Sequence, residues 1–268
     1  MAKAGSEKVR QKKARPRKGR PENARSEKLA IFRVLATLII PFMNVVGRYR
    51  IQQGEYLPAT GPAVVAPNHY SEIDPLVIGL TIWKLGRAPR YLGKASLFTI
   101  PVFGALLRKS GQIPVERAGS RGSDPLAAAN QLVEDNSVVV VYPEGTLTRD
   151  PDLWPMRGKT GAVRLALTAG VPLIPVAHWG TQKILPRYGN KLSMFPRKDV
   201  DIRFGPPVDL SRFEGRPLNA AMLAEATEIL MSAITALLAE LRDEQAPAER
   251  WDPVKKGQSE IGRFEDRS

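Results

Sequence analysis

From residue 62 onward, apolar residues fall in short β-branched runs with longer helical stretches between them. The runs are Ala63-Val64-Val65-Ala66, Tyr91-Leu92-Gly93, Gln112-Ile113-Pro114-Val115, Val138 to Tyr142, Leu173 to Ala177 and Val200 to Phe204. They are mostly apolar at successive positions, as strands buried on both faces of a parallel sheet are. Helices are predicted between them near 75–85, 101–109, 124–135 and 158–169. Such alternation predicts an α/β fold: a single layered domain with a central, mostly parallel sheet flanked by helices. Near 218–242, Leu223, Leu230, Ile234, Leu237 and Leu241 recur at spacings of three, four and seven. That spacing is an amphipathic helix with one core-facing stripe.

Ahead of the domain, Leu29 to Val46 is strongly apolar but carries Arg33 and Pro41. A bilayer span needs roughly 20 largely uncharged residues, so this stretch makes a poor one. An N-terminal membrane-associating helical segment over 29–49, dipping into one leaflet, fits better. The alternative is a first core helix packed on the domain. The organisation read from the chain is thus a disordered basic arm (1–28), the membrane-associating segment (29–49), the α/β domain (50–245) and a polar, loosely ordered tail (246–268).

Charge sharpens the picture of the arm. Residues 1–28 hold eleven Lys and Arg against three Glu, which is eight of the thirteen net positive charges of the chain. The body is only mildly basic and carries no recognisable nucleic-acid motif. An arm next to an apolar segment suits an anionic leaflet, worth about 1 kcal/mol for each Lys or Arg held near it. A basic membrane- or nucleic-acid-binding protein without catalysis is the rival reading from another class.

The chain has no Cys and only two histidines, His69 and His178. That excludes disulfides, thiolate nucleophiles and cysteine-ligated metals, and neither histidine sits in a metal-ligand spacing. No metal is expected. His178 reads as a polar residue at a strand end. His69 is different: it lies in Pro67-Asn68-His69-Tyr70-Ser71-Glu72-Ile73-Asp74-Pro75, where a buried strand ends and a helix begins. By itself Asp74 is a good helix cap. The alternative is that the loop folds Asp74 back onto one imidazole nitrogen, leaving the other free to take a proton from an alcohol. No Gly-x-Ser-x-Gly elbow accompanies the pair. A base without an enzyme nucleophile points to direct attack by a substrate hydroxyl on an activated acyl group.

The His-x4-Asp segment resembles the first signature of the glycerolipid acyltransferase family, the PlsC-like or lysophosphatidic acid acyltransferases. Three further segments are similar to the family's other signatures, in order: Gly111-Gln112-Ile113-Pro114-Val115-Glu116-Arg117, Val140-Val141-Tyr142-Pro143-Glu144-Gly145-Thr146 and Val171-Pro172-Leu173-Ile174-Pro175-Val176. Lys94, ahead of Pro101-Val102-Phe103-Gly104, resembles the family's lysine between its first two signatures. The likeness spans roughly residues 60–210.

This resemblance implies a glycerol-3-phosphate acyltransferase-like fold and gives the residues roles. His69 would be the general base and Asp74 its orienter. Lys94, Arg117, Glu144, Gly145 and Thr146 would bind the acceptor, with Arg117 on its phosphate. The family often has Arg directly after Gly-Thr, whereas Leu147 stands there in this chain. Arg149, or alternatively Arg157 or Lys159, is then expected to supply that charge. The implied reaction moves an acyl chain from acyl-CoA or acyl carrier protein to lysophosphatidic acid, making phosphatidic acid in phospholipid biosynthesis. No cofactor beyond the donor is implied. Glycerol 3-phosphate, or another lysophospholipid or glycolipid, is the alternative acceptor. The expected partners are a membrane lipid surface, the acyl donor and the lysophospholipid acceptor, with no specific nucleic acid. The expected location is the cytoplasmic face of the membrane, peripheral or monotopic.

Overall fold

A computed structural model describes residues 30–115 and 125–259. The basic arm, Arg117 and residues 260–268 lie outside the described residues. The chain enters through helix α1 (Ala30–Val46) and strand β1 (Gly47–Gln52). Then come β2 (Ala63–Pro67), α2 (Asp74–Lys84), β3 (Pro89–Lys94), α3 (Pro101–Lys109) and β4 (Ile113–Val115). After residue 124 follow α4 (Pro125–Glu134), β5 (Val138–Val140), α5 (Gly161–Ala169), β6 (Leu173–Trp179), β7 (Lys198–Phe204) and α6 (Ala220–Arg242).

The strands form one seven-stranded sheet in the order β1-β7-β6-β2-β5-β3-β4. Five strands, β6 through β4, are parallel; β7 pairs antiparallel with β6, and β1 pairs parallel with β7. The mostly parallel sheet predicted from the apolar runs is therefore present, with a reversed two-strand edge added.

The continuous valine runs serve two cores because successive strand residues face opposite sides. Val64, Ala66 and Val139 pack with Leu132 of α4, Val163 of α5 and Leu230 of α6. Val65, Val138 and Val140 face the other way, onto Val77 and Ile78 of α2 and Met43 of α1. The predicted stripe on α6 is real: Leu223, Leu230 and Ile234 are fully buried. Asn219 caps this helix, its Oδ1 accepting the Met222 amide at 2.9 Å. At 23 residues α6 is long and apolar enough to cross a bilayer, yet its inner stripe fills the core.

Three details depart from the sequence reading. The segment expected to be helical to residue 49 turns into β1 at Gly47, an edge strand whose GRYRIQ sequence has too little apolar alternation to read as one. Helix α1 packs on the domain with one face and leaves apolar side chains exposed on another. Phe32, Met43 and Val46 are buried against the domain, while Val34, Phe42 and Val45 are exposed. The tail is tied down as far as residue 259, because Trp251 O accepts the Arg157 amide at 2.8 Å and Trp251 Nε1 donates to Gln258 at 3.0 Å.

Candidate active site

The parallel strands deliver their C-terminal ends to one edge of the sheet, where ligands of α/β proteins bind. There β2 ends at Pro67, and the next four residues are pinned to neighbouring elements. Asn68 extends the pairing with β6: its Oδ1 accepts the His178 amide at 2.9 Å and its Nδ2 donates to His178 O at 3.2 Å. Tyr70 Oη donates to the same carbonyl at 2.9 Å, and Ser71 Oγ donates to Leu185 O at 2.6 Å.

His69 is gripped through its own backbone. Its amide donates to Glu144 Oε1 at 2.9 Å, and its carbonyl accepts the Thr148 amide at 2.6 Å. The imidazole stacks on Tyr142, with ring centroids 4.1 Å apart and planes at 28°. Nδ1 lies 3.0 Å from Asp74 Oδ2. An ionised carboxylate there selects the tautomer with its proton on Nδ1, so the Nε2 lone pair is left for a substrate.

Asp74 begins α2 and Pro75 follows it in the first turn. The carboxylate does not cap the helix it begins. Oδ2 also accepts the amides of Tyr70 and Ser71, at 2.8 and 2.9 Å, and Oδ1 accepts the Thr181 hydroxyl at 2.6 Å. Burial alone would raise its pKa. The neighbouring His178, the His69 contact and the Thr181 hydroxyl outweigh burial, and the pKa falls below the usual carboxylate value. His178, fully buried with Nε2 3.0 Å from Asn68 O, is itself pushed down by burial. It props the loop from beneath.

A cleft of about 300 Å³ opens over His69. Glu72, Tyr91, Tyr142, Gly145, Thr146 and Leu147 contribute to its walls. Gly145 and Thr146 therefore line the same cleft as His69. Gly145 has φ of 72°, a conformation that favours glycine, and a Cβ there would meet the Lys159 side chain at 3.0 Å. Lys159, weighed only as an alternative source of charge, lies on this turn.

Other expected residues are placed elsewhere. Glu144 is fully buried and turned away from the cleft, because its two oxygens accept the His69 and Met156 amides. It clamps the loop that carries His69. Burial pushes its pKa up to about 8. Arg149 is buried, 3% exposed, and does not line the cleft. Its segment is drawn inward by the Thr148 hydroxyl, which donates to Trp154 O, and by Arg187, which donates to Thr148 O and Asp150 O. Arg157 points to Asp252, 3.6 Å away, on the surface. Lys94 ends β3, paired in register with Val115 on the same sheet edge. Among the described residues no cluster of His, Asp and Glu is arranged to hold a metal.

A second cavity, of about 170 Å³, lies between α1 and α2. Phe32, Ile39, Leu76 and Trp83 make it almost wholly apolar, and Tyr91 lines both it and the cleft over His69.

Fold and site together define an α/β protein with a histidine–aspartate pair open to a cleft and an apolar groove next to it. Known proteins place it further. The sequence profile of the Acyltransferase family matches residues 48–179. The 1-acyl-sn-glycerol-3-phosphate acyltransferase of Salmonella typhimurium is 30% identical over 191 residues, covering 69% of this chain and 72% of that protein. The chloroplastic 1-acyl-sn-glycerol-3-phosphate acyltransferase of Brassica napus is 36% identical over 138 residues, 51% of this chain. The chain spans about two fifths of the length of its plant relatives, 38% and 39%. The crystal structure of the LPA acyltransferase PlsC from Thermotoga maritima has the same fold, with a TM-score of 0.58 at 22% identity over 80% of this chain and 83% of that one. The chain belongs to the PlsC-like Acyltransferase family.

Proposed function

We propose that this protein transfers an acyl group from a thioester, acyl-CoA or acyl carrier protein, to the free hydroxyl of lysophosphatidic acid, yielding phosphatidic acid. The observation that carries the reading is the His69–Asp74 pair, with Asp74 held by four donors and His69 Nε2 left available. In the reaction, the acceptor hydroxyl gives its proton to Nε2 as its oxygen attacks the thioester carbonyl. The thiolate leaves, and the proton on the imidazolium is returned to it. Asp74 stabilises the imidazolium and holds the ring orientation. General-base assistance of this kind contributes about 10²–10⁴-fold.

Lysophosphatidic acid as the acceptor rests on the named activity of several relatives and on the charge beside the cleft. Lys159 lies against the Gly145 turn, where a phosphate needs a cation. The apolar groove beside α1 is suited to an acyl chain, and α1 itself exposes Val34, Phe42 and Val45. This favours work at a membrane surface by a peripheral or monotopic protein.

The test is to give purified protein labelled acyl-CoA and a panel of acceptors, and to map the acylated position. Lysophosphatidic acid is expected to be used at least tenfold better than glycerol 3-phosphate or neutral lysolipids. Preference for an acceptor without phosphate would contradict the reading.

A further inference from the structure

The active-site edge of the sheet also collects exposed apolar side chains, and one group of them belongs to no helix. Strand β7 is antiparallel to β6, and β1 is parallel to β7. The starts of β7 and β1 therefore lie at the same edge as the end of β2 and His69. The loop entering β7 contains Leu192, Met194 and Phe195, exposed by 38%, 41% and 71%. It is held on both sides: the Ser193 amide donates to Ile184 O at 2.8 Å, and Arg197 donates to Gly47 O at 3.0 Å. Gly47 directly follows α1, whose last turns expose Phe42 and Val45. Lys191, Arg197 and Lys198 flank the apolar tip. The start of α3, just after the end of β3, adds Val102 to the same edge at 87% exposure.

An apolar tip ringed by cations, on a braced loop, matches a leaflet whose acyl region lies below a layer of phosphates. Basic side chains beside it meet the negative surface potential of anionic lipid. We propose that residues 191–198 form a second membrane-inserting element, which dips Met194 and Phe195 into an anionic phospholipid leaflet beside α1. This rests on the reading that the protein works on a membrane-embedded acceptor. The protein then meets the membrane along one sheet edge, at α1 and at this loop, and holds the His69 cleft facing the lipid.

The chain has no Cys, so a single label can be placed at will. Phe195→Cys carrying an environment-sensitive fluorophore would be compared with Val133→Cys, whose parent is 45% exposed at the end of α4 that leads into the start of β5, the opposite edge. With phosphatidylcholine vesicles containing phosphatidylglycerol, the label at 195 is expected to brighten at least twofold, shift to the blue and be quenched by spin-labelled lipid. The label at 133 is expected to stay unchanged. A label at 195 as water-exposed as the one at 133, or one already shielded without vesicles, would overturn the proposal. The Met194→Asp, Phe195→Asp double variant is expected to lose at least tenfold in vesicle affinity while turning over a short-chain, water-soluble acceptor within twofold of the parent. Unchanged vesicle binding by that variant, with soluble turnover intact, would sink the docking proposal alone. Absence of soluble-acceptor turnover in the parent would sink the acyl-transfer reading on which it rests.

Discussion

At the scale of single residues, one carboxylate organises the site. Asp74 receives the His69 imidazole, two amides and the Thr181 hydroxyl, which leaves it little freedom to rotate. A hydrogen bond to a charged group is worth about 1.5–3 kcal/mol. Thr181→Val is therefore expected to lower kcat by about ten- to a hundredfold with little change in KM, and Thr181→Ser to recover most of it. Steady-state kinetics on the three proteins checks this. The His69–Asp74 pair was legible because both residues sit in one short segment between a strand and a helix. Thr181 and His178 were not, because they reach Asp74 only across 107 and 104 residues of sequence. Glu144 was read as touching substrate because the family resemblance carries that role to it together with Gly145 and Thr146. A turn presents alternate residues to different sides, and its carboxyl went inward. That burial has a consequence for stability. The folded pKa of about 8 lies above the ordinary value of 4.5, so between those values the folded protein keeps a proton that the unfolded chain has lost. Stability from this group is then full below about pH 4.5 and declines as pH rises towards 8. The melting-temperature advantage of the parent over Glu144→Gln is expected to shrink between pH 5 and pH 8. An advantage that grows over that range would contradict the assignment.

Among the elements, those with a strong period were readable and those at the rim were not. The valine runs and the leucine stripe of α6 declare themselves because a buried surface tolerates few polar side chains. Strand β1 sits at the sheet edge, and Arg48 and Arg50 pair there with Asp199 and Asp201 of β7. Half of its surface is wet, which hides the pattern. Helix α6 binds the domain through its inner stripe, so Leu230→Ala is expected to cost about 2–5 kcal/mol. The exposed Ala236→Ser is expected to cost less than about 0.5 kcal/mol. Denaturant unfolding separates the two.

For the molecule as a whole, charge and apolar surface are divided between parts with different jobs. The α/β body holds the cleft, α1 offers apolar side chains beside it, and the basic arm carries most of the net charge. Removing residues 1–28 is expected to weaken binding to anionic vesicles, with the loss largest at low salt, because attraction between exposed charges is screened. Turnover of a water-soluble acceptor is expected to stay within about twofold, since no cleft residue is removed. Vesicle flotation at two salt concentrations, paired with the soluble assay, measures both. Equal vesicle binding with and without the arm would show that α1 and the domain surface do the work alone.

The most direct measurement is the rate of acyl transfer from labelled acyl-CoA to lysophosphatidic acid by His69→Ala beside the parent, with thermal melts to confirm that both are folded. Loss of the base is expected to lower kcat by about 10²–10⁴-fold in a protein that melts within a few degrees of the parent. A folded His69→Ala protein that transfers acyl groups at the parent rate would contradict the account.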